Sequence, residues 1–369
     1  MSRSDSGLCV GVVGVGYWGS KHLRVLTGMP GVGRVVAIDE RLGSVPDLAS
    51  GVADQDRFTS LARALPEVDA VVIATPPGTH APLALAAIRA GKHVLVEKPM
   101  ATTTADSLEM VEQARAHGVT LMVGHTFEHN AAVWALRDLV ASGELGDLYY
   151  LDSSRLNLGL YQSDVNVVMD LAPHDISIAN YVLDATPSAV TAWGARHVHS
   201  QLEDVAHLCL EYEALGVRAN VHVSWLDPEK VRRVTAVGSK KMAVYNDMSV
   251  ENRLVIHDKS AMATADGTRS THPIAYHVGE VYAPQIDVPE PLKVQDSQFV
   301  GCVHAGSEPT TDGLRGLAVV RVLEAAQISL EQRRRVELDE IDGWEQSSTF
   351  PSRTIDLRDH VTAAAVVGS

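Results

Sequence analysis

Gly14-Val15-Gly16-Tyr17-Trp18-Gly19 follows directly on the apolar run 8–13 and opens a helical pattern. The first glycine permits a tight turn, the second lets backbone approach a pyrophosphate, and the third allows close helix packing, while the helix N-terminus faces the anion. The next apolar run, 34–38, ends in Asp39, twenty residues past Gly19. A carboxylate there accepts hydrogen bonds from adenosine ribose hydroxyls and repels a 2′-phosphate, which favours NAD(H) over NADP(H). Arg41 lies two residues on; its guanidinium could bind a 2′-phosphate or decorate the surface.

Two further segments close later apolar runs: Ala74-Thr75-Pro76-Pro77-Gly78-Thr79-His80 and Val96-Glu97-Lys98-Pro99. Asp170 and His174 stand four apart, so on a helix they share one face. Pro173 fits only a first helical turn, so Asp170 is either on that face or the cap; both geometries leave the two side chains near one helix end. Arg155 and Asn157 alternate with Leu156, so both can point to one face of a strand. A diphosphate or uronate group suits Arg155, and so does a surface ion pair. Tyr161 and Gln162 follow in a loop that could touch substrate. His197, His199 and His207 read as decoration of a sheet face, and no Cys/His spacing suggests a metal.

These residues need elements to hold them. Runs 8–13, 34–38, 70–74, 93–96 and 120–123 are nearly continuous in Val, Ile and Leu, as strands buried on both faces of a parallel sheet are. Between them 17–27, 79–90 and 103–117 repeat apolar residues at three and four, with Thr79 and Thr103 as expected N-caps and Gly91 and Gly118 as stops. From residue 148 the pattern turns to strands, 148–156, 189–198, 205–212, 217–225, 231–237 and 241–245, with one helix at 173–183. A polar loop at 258–273 and helices at 295–304 and 311–330 complete the reading. The expected fold is an α/β N-terminal Rossmann domain over 1–125, then an α+β substrate-binding and oligomerisation domain over 126–345 with a large, mainly antiparallel open sheet. Residues 346–369 read as a tail.

Thirty-one Lys+Arg against 46 Asp+Glu give a formal charge of −15, which argues against nucleic-acid or anionic-membrane binding. Arg333-Arg334-Arg335 reads as a solvated helix end. Cys9, Cys209 and Cys302 are dispersed, and no apolar run reaches membrane-spanning length or forms a leader, so the expected location is cytoplasmic. An uncovered sheet face predicts a homodimer or homotetramer.

GVGYWG, ATPPGTH and EKP, in this order and spacing, resemble the Gfo/Idh/MocA family of NAD(P)-dependent sugar and polyol oxidoreductases. The likeness continues through Gly124-His125, Met169-Asp170-Leu171-Ala172-Pro173-His174-Asp175 and Thr311-Asp312-Gly313-Leu314, covering roughly 8–338. With Arg155-x-Asn157-x-Gly159 and Trp225-Leu226-Asp227-Pro228, DLAPHDIS is similar to members acting on nucleotide-linked sugars, such as UDP-N-acetylglucosaminuronate 3-dehydrogenases. The resemblance implies that Lys98 is the active-site lysine beside nicotinamide and substrate, followed by a peptide often cis at the proline. It implies that His174 is the general acid/base and that Asp170 contacts substrate or orients its neighbours. Thr75, Pro76 and His80 would line the cofactor, and Glu97 would lie near the nicotinamide ribose or amide. The implied reaction is hydride transfer between nicotinamide and a ring hydroxyl or ketone of a sugar or sugar nucleotide. Histidine suits the accompanying proton exchange near neutrality. Two alternatives keep the fold: NAD-dependent glycoside hydrolysis by transient oxidation, and an NAD-binding regulator without turnover. The intact Lys98, Asp170 and His174 set argues against the regulator.

Overall fold

A computed structural model describes residues 7–44, 49, 51–162, 164–198, 201–263, 274–287 and 289–341. The expected tail 346–369, residues 264–273 of the expected loop, and His199 lie outside the described residues. The chain forms two compact units, which among the described residues are 7–129 with 289–320, and 130–287 with 321–341. The division read from sequence, at 125, falls four residues short of this one, and residues 289–320 contribute to the first unit.

The first unit is built on six strands, β1 Leu8–Val13, β2 Val32–Ile38, β3 Arg57–Phe58, β4 Ala70–Ile73, β5 His93–Glu97 and β6 Leu121–Gly124. They are parallel in the order β3-β2-β1-β4-β5-β6. Their apolar runs are continuous because helices cover such a sheet on both faces; every residue of β4 is buried. The helices are α1 Tyr17–Leu26, α2 Leu61–Ala64, α3 His80–Arg89 and α4 Thr104–His117. Thr103 caps α4 by accepting the Asp106 N–H at 3.1 Å, and Gly118 ends it at φ 63°. Thr79 does not cap α3 with its side chain: it ends a tight turn, Pro77–Thr79, and its hydroxyl donates to the Pro76 carbonyl at 2.7 Å. Strand order reverses between β1 and β4, so the crevice outside their carboxyl ends is where such a sheet binds ligands. Thr311 continues the edge beyond β6, its carbonyl accepting the Val123 N–H at 2.8 Å and its hydroxyl donating to the Val123 carbonyl at 2.7 Å.

The second unit carries α5 Ala131–Ala141, strand β7 Leu148–Leu156 and helix α6 Val167–Leu183. Strands β8 Ala189–Ala195, β9 Val205–Tyr212, β10 Val217–Ser224, β11 Val231–Gly238, β12 Met242–Asn246, β13 Leu254–Ala263, β14 Ile274–Tyr282 and β15 Val336–Glu337 follow. The nine strands lie in the order β14-β13-β12-β11-β7-β10-β9-β8-β15, antiparallel except for β7 beside β10. Burial alternates along β9 and β10, the inward residues meeting α6 and the outward ones including His207, Arg218 and Asn220. Strand β13 takes residues 258–263 of the expected polar loop, and β14 begins at Ile274, just past it. They went unread because β14 is exposed almost throughout and so lacks a buried alternate face to signal a strand. Helices α7 Pro291–Ala305, packed on α1, and α8 Gly313–Gln332 complete the fold.

Helix α6 starts six residues before its expected position, because Asn166, not Asp170, is its cap. The Asn166 side chain accepts the Met169 N–H at 3.1 Å. Pro173 therefore stands inside the helix, where it removes the bond to the Met169 carbonyl. Asn166 also donates to Glu203 at 2.8 Å and to Gln327 at 3.0 Å. Asn166→Ala is expected to lower unfolding stability by about 1–2 kcal/mol; an unchanged denaturant midpoint would contradict this account of the helix start.

Candidate active site

In the first unit the expected residues gather at the carboxyl ends of the parallel strands. The Gly14 N–H donates to the Ile38 carbonyl at 2.8 Å, and its φ of +84° belongs to glycine. A Cβ on Gly19 would lie 1.8 Å from the Gly14 carbonyl oxygen, so α1 can start here only with glycine at that position. A Cβ on Gly16 would meet nothing within 4 Å. The loop thus leaves open backbone space at a helix N-terminus, which fits a cofactor pyrophosphate. Tyr17 and Trp18 stand exposed on the first turn of α1, ring centroids 5.6 Å apart, with the Lys21 ammonium 4.3 Å from the Tyr17 ring centre.

Asp39 ends β2 and turns back to this loop, accepting the Val15 N–H at 2.9 Å. Arg41 forks onto the same carboxylate at 2.9 and 2.8 Å, and its backbone N–H adds a third bond at 2.9 Å. These bonds, the Arg41 side chain foremost, outweigh burial and hold the Asp39 carboxyl at a pKa of about 2. Of the two roles open to Arg41, the structure places it on Asp39.

After β4, Thr75 is half-buried and Pro76 exposed. His80 is buried, with one ring nitrogen 2.8 Å from the Thr75 carbonyl and the other 2.8 Å from the Pro99 carbonyl. It braces the turn after β4 against the turn after β5. Burial pushes its pKa down. The Lys98–Pro99 peptide is cis. The Lys98 N–H donates to Glu97 Oε2 at 3.2 Å.

Glu97 makes a contact that sequence reading missed. Its Oε1 lies 3.1 Å from His22 Nε2, and His22 Nδ1 lies 2.9 and 3.1 Å from the two carboxylate oxygens of Asp296. His22 and Asp296 are completely buried and Glu97 is 7% exposed. Burial alone would push His22 down; Asp296 and then Glu97 outweigh it and raise its pKa to about 10. The one sequence signal is that His22 falls three residues after Gly19, on the face of α1 that packs inward. Its partners are 75 and 274 residues away. His125, just past β6, is also fully buried, and burial pushes its pKa down to about 4. Neither of its ring nitrogens has a hydrogen-bond partner among the described residues.

In the second unit Asp170 and His174 are both half-buried and share one face of α6. Trp225 Nε1 donates to Asp170 Oδ2 at 3.0 Å, and the Trp225 ring packs against Tyr161 with centroids 5.2 Å apart. Arg155 is turned into the protein, its Nε donating to Asp175 Oδ2 at 2.6 Å, and Ser153 donates to the same carboxylate at 2.5 Å. All three are buried. Of the two roles open to Arg155, the structure shows an ion pair, buried rather than on the surface, and it anchors α6 at the residue next to His174. Asn157 lies one residue past β7 and is half-buried, its backbone bonded to Ser224 and Asp227. His197 pairs with Asp204 at 2.8 Å, and the His207 and His222 rings stack at 3.9 Å. Among the described residues no group of three or more His, Cys, Asp or Glu could hold a metal ion, and no helix is long and apolar enough to cross a membrane.

Two family models match the chain: an oxidoreductase family with an NAD-binding Rossmann fold over residues 8–125, and the GFO/IDH/MocA C-terminal domain over 133–244. The chain belongs to the Gfo/Idh/MocA family. It is therefore an oxidoreductase whose first unit binds NAD. Inositol 2-dehydrogenase 2 of Saccharopolyspora erythraea is 32% identical over 225 residues, covering 58% of this chain and 66% of its own. The UDP-N-acetylglucosamine 3-dehydrogenase of Acidithiobacillus ferrooxidans is 27% identical over 324 residues, 87% of this chain and 96% of that one. Among solved structures, GenD2 from gentamicin A biosynthesis, in complex with NAD, superposes with a TM-score of 0.73 at 27% identity, covering 91% of this chain and 97% of its own.

Two expectations follow. Asp39→Ser releases Arg41 and is expected to shift the NAD-to-NADP affinity ratio toward NADP by about tenfold or more, a gain that Asp39→Ser/Arg41→Ala should cancel. Cofactor titration against tryptophan fluorescence checks this, and an unchanged ratio would deny Asp39 its reading of the ribose. Arg155→Ala leaves the Asp175 carboxylate buried without its cation and is expected to cost about 3–5 kcal/mol of stability in denaturant unfolding.

Proposed function

We propose that this Gfo/Idh/MocA oxidoreductase uses NAD(H) to oxidise a ring hydroxyl of a sugar, free or nucleotide-linked, or to reduce the corresponding ketone. The named relatives that act on inositol and on a UDP-linked amino sugar support this substrate class. The observation that carries the reading is the Asp170–His174 face of α6, with Asp170 held by the Trp225 indole. It offers a titratable base beside a fixed carboxylate, which alcohol oxidation requires and a binding module does not.

In the oxidative direction NAD, when bound, would supply the acceptor for the hydride of the carbinol carbon. His174 accepts the hydroxyl proton, and the Lys98 ammonium polarises the same oxygen as it becomes a carbonyl. Asp170 orients His174 or a neighbouring hydroxyl. Gly14, Gly16, Tyr17, Trp18 and Gly19 receive the cofactor with Asp39, Thr75, Pro76 and Glu97, while His80 positions the turns that carry Thr75 and Lys98. Asn157 is assigned to the substrate, and Arg155 to positioning α6. A second copy of the chain is assigned to the open face of the nine-stranded sheet, where Trp193 is 59% exposed beside the His207 and His222 rings. The three dispersed cysteines fit a cytoplasmic enzyme.

Denaturing the purified protein and identifying the released nucleotide, then following NADH absorbance with UDP- and dTDP-sugars, inositols and hexoses, tests the reading. Reduction of added NAD by one substrate class supports it. Free sugar released without net NADH would replace it with internally recycled hydrolysis. His174→Ala is expected to keep NAD affinity within a few fold, and His174→Ala and Lys98→Ala each to lower turnover at least about 10²-fold; full activity in either variant removes that residue's role.

A further inference from the structure

The buried trio of Asp296, His22 and Glu97 is larger than a positioning contact needs, and its charge can be counted from its geometry. The ring makes hydrogen bonds to a carboxylate on each side, at 2.9 Å to Asp296 and 3.1 Å to Glu97. Two such bonds need two hydrogens, and a neutral imidazole carries one. With the second proton present the three groups together bear one negative charge, wherever that proton sits. It sits on His22, which keeps it throughout the neutral range.

This negative charge is enclosed at the carboxyl end of β5, at the residue before Lys98, and it acts electrostatically on Lys98. The neighbouring His125 adds no cation, since burial keeps it neutral. An oxidised nicotinamide ring carries a positive charge and the reduced ring carries none. Beside the Lys98 ammonium the oxidised ring would be repelled unless an anion offset that ammonium.

We propose that Asp296, acting through His22 and Glu97, offsets the charge of Lys98 and so sets the preference of the site between oxidised and reduced nicotinamide. The inference rests on the reading that the nicotinamide end of NAD lies against Lys98. Asp296 touches neither cofactor nor substrate in this account; its effect is one unit of charge transmitted through two hydrogen bonds. Asp296→Asn keeps the shape and an acceptor for His22, and takes the trio from one negative charge to none so long as Glu97 alone keeps the second proton on His22.

Equilibrium titration of the whole protein with NAD+ and separately with NADH, read by tryptophan fluorescence, tests the proposal without turnover. Asp296→Asn is expected to weaken NAD+ about tenfold while NADH changes less than about threefold, and Asp296→Glu to keep the wild-type ratio. If Asp296→Asn does not fold, Asp296→Ser is the second uncharged variant, with the same expected ratio. Equal changes in both affinities, or none, overturn the charge-offset role and leave the cofactor reading standing. A wild-type protein that binds neither nucleotide overturns the cofactor reading itself, and the inference with it.

Discussion

The close approach of Gly19 to the Gly14 carbonyl is the constraint from which the first unit follows. It fixes where α1 begins and how the helix is rotated about its axis. That rotation turns Gly19, His22 and Leu23 inward and leaves Tyr17 exposed on the first turn. The same turn brings the Val15 N–H to Asp39 and ties β1 to β2 through Gly14 and Ile38. A side chain at position 19 would force the helix away, and the loop before α1, the Asp39 carboxylate and the buried histidine would lose register together.

Each unit holds a buried ion pair that joins separate elements: His22 between Glu97 and Asp296 in the first, and Arg155 on Asp175 in the second. His22 joins α1 to the end of β5 and to α7. Arg155 joins β7 to α6. Such pairs add little net stability over apolar packing, but breaking one leaves a charge with no solvent to answer it. Their value here is geometric. Within the first unit they hold the end of β5 beside Lys98, and within the second they anchor α6 at the residue next to His174.

Local chemistry made part of this legible in the chain. The continuous Val/Ile runs, the glycine spacing and Asp39 at a strand end depend on neighbours within about twenty residues, and each took the expected place. The Thr103 cap and the Gly118 stop are equally local. Expectations that depended on distant partners fared differently. Arg155 looked equally suited to an anionic ligand or a surface pair until Asp175 was seen to take it in the interior. Thr79 looked like a cap until its hydroxyl was found closing its own turn. Pro173 obscured the start of α6, because the Asn166 cap lay beyond the point at which proline seemed to demand a first turn. Strand β14 lacks the buried alternate face that marks a strand.

By itself, then, the sequence determined the doubly wound first unit, the large second sheet, the cofactor class and the residues at the strand ends, because periodicity and turn chemistry are short-range. Only the tertiary structure decided which charges meet: Arg41 with Asp39, Arg155 with Asp175, and His22 between Glu97 and Asp296. The physical reason is that a side chain's charge state depends on which groups share its enclosed space. For His22 those groups come from β5 and α7, and nothing in the residues adjacent to it encodes that meeting.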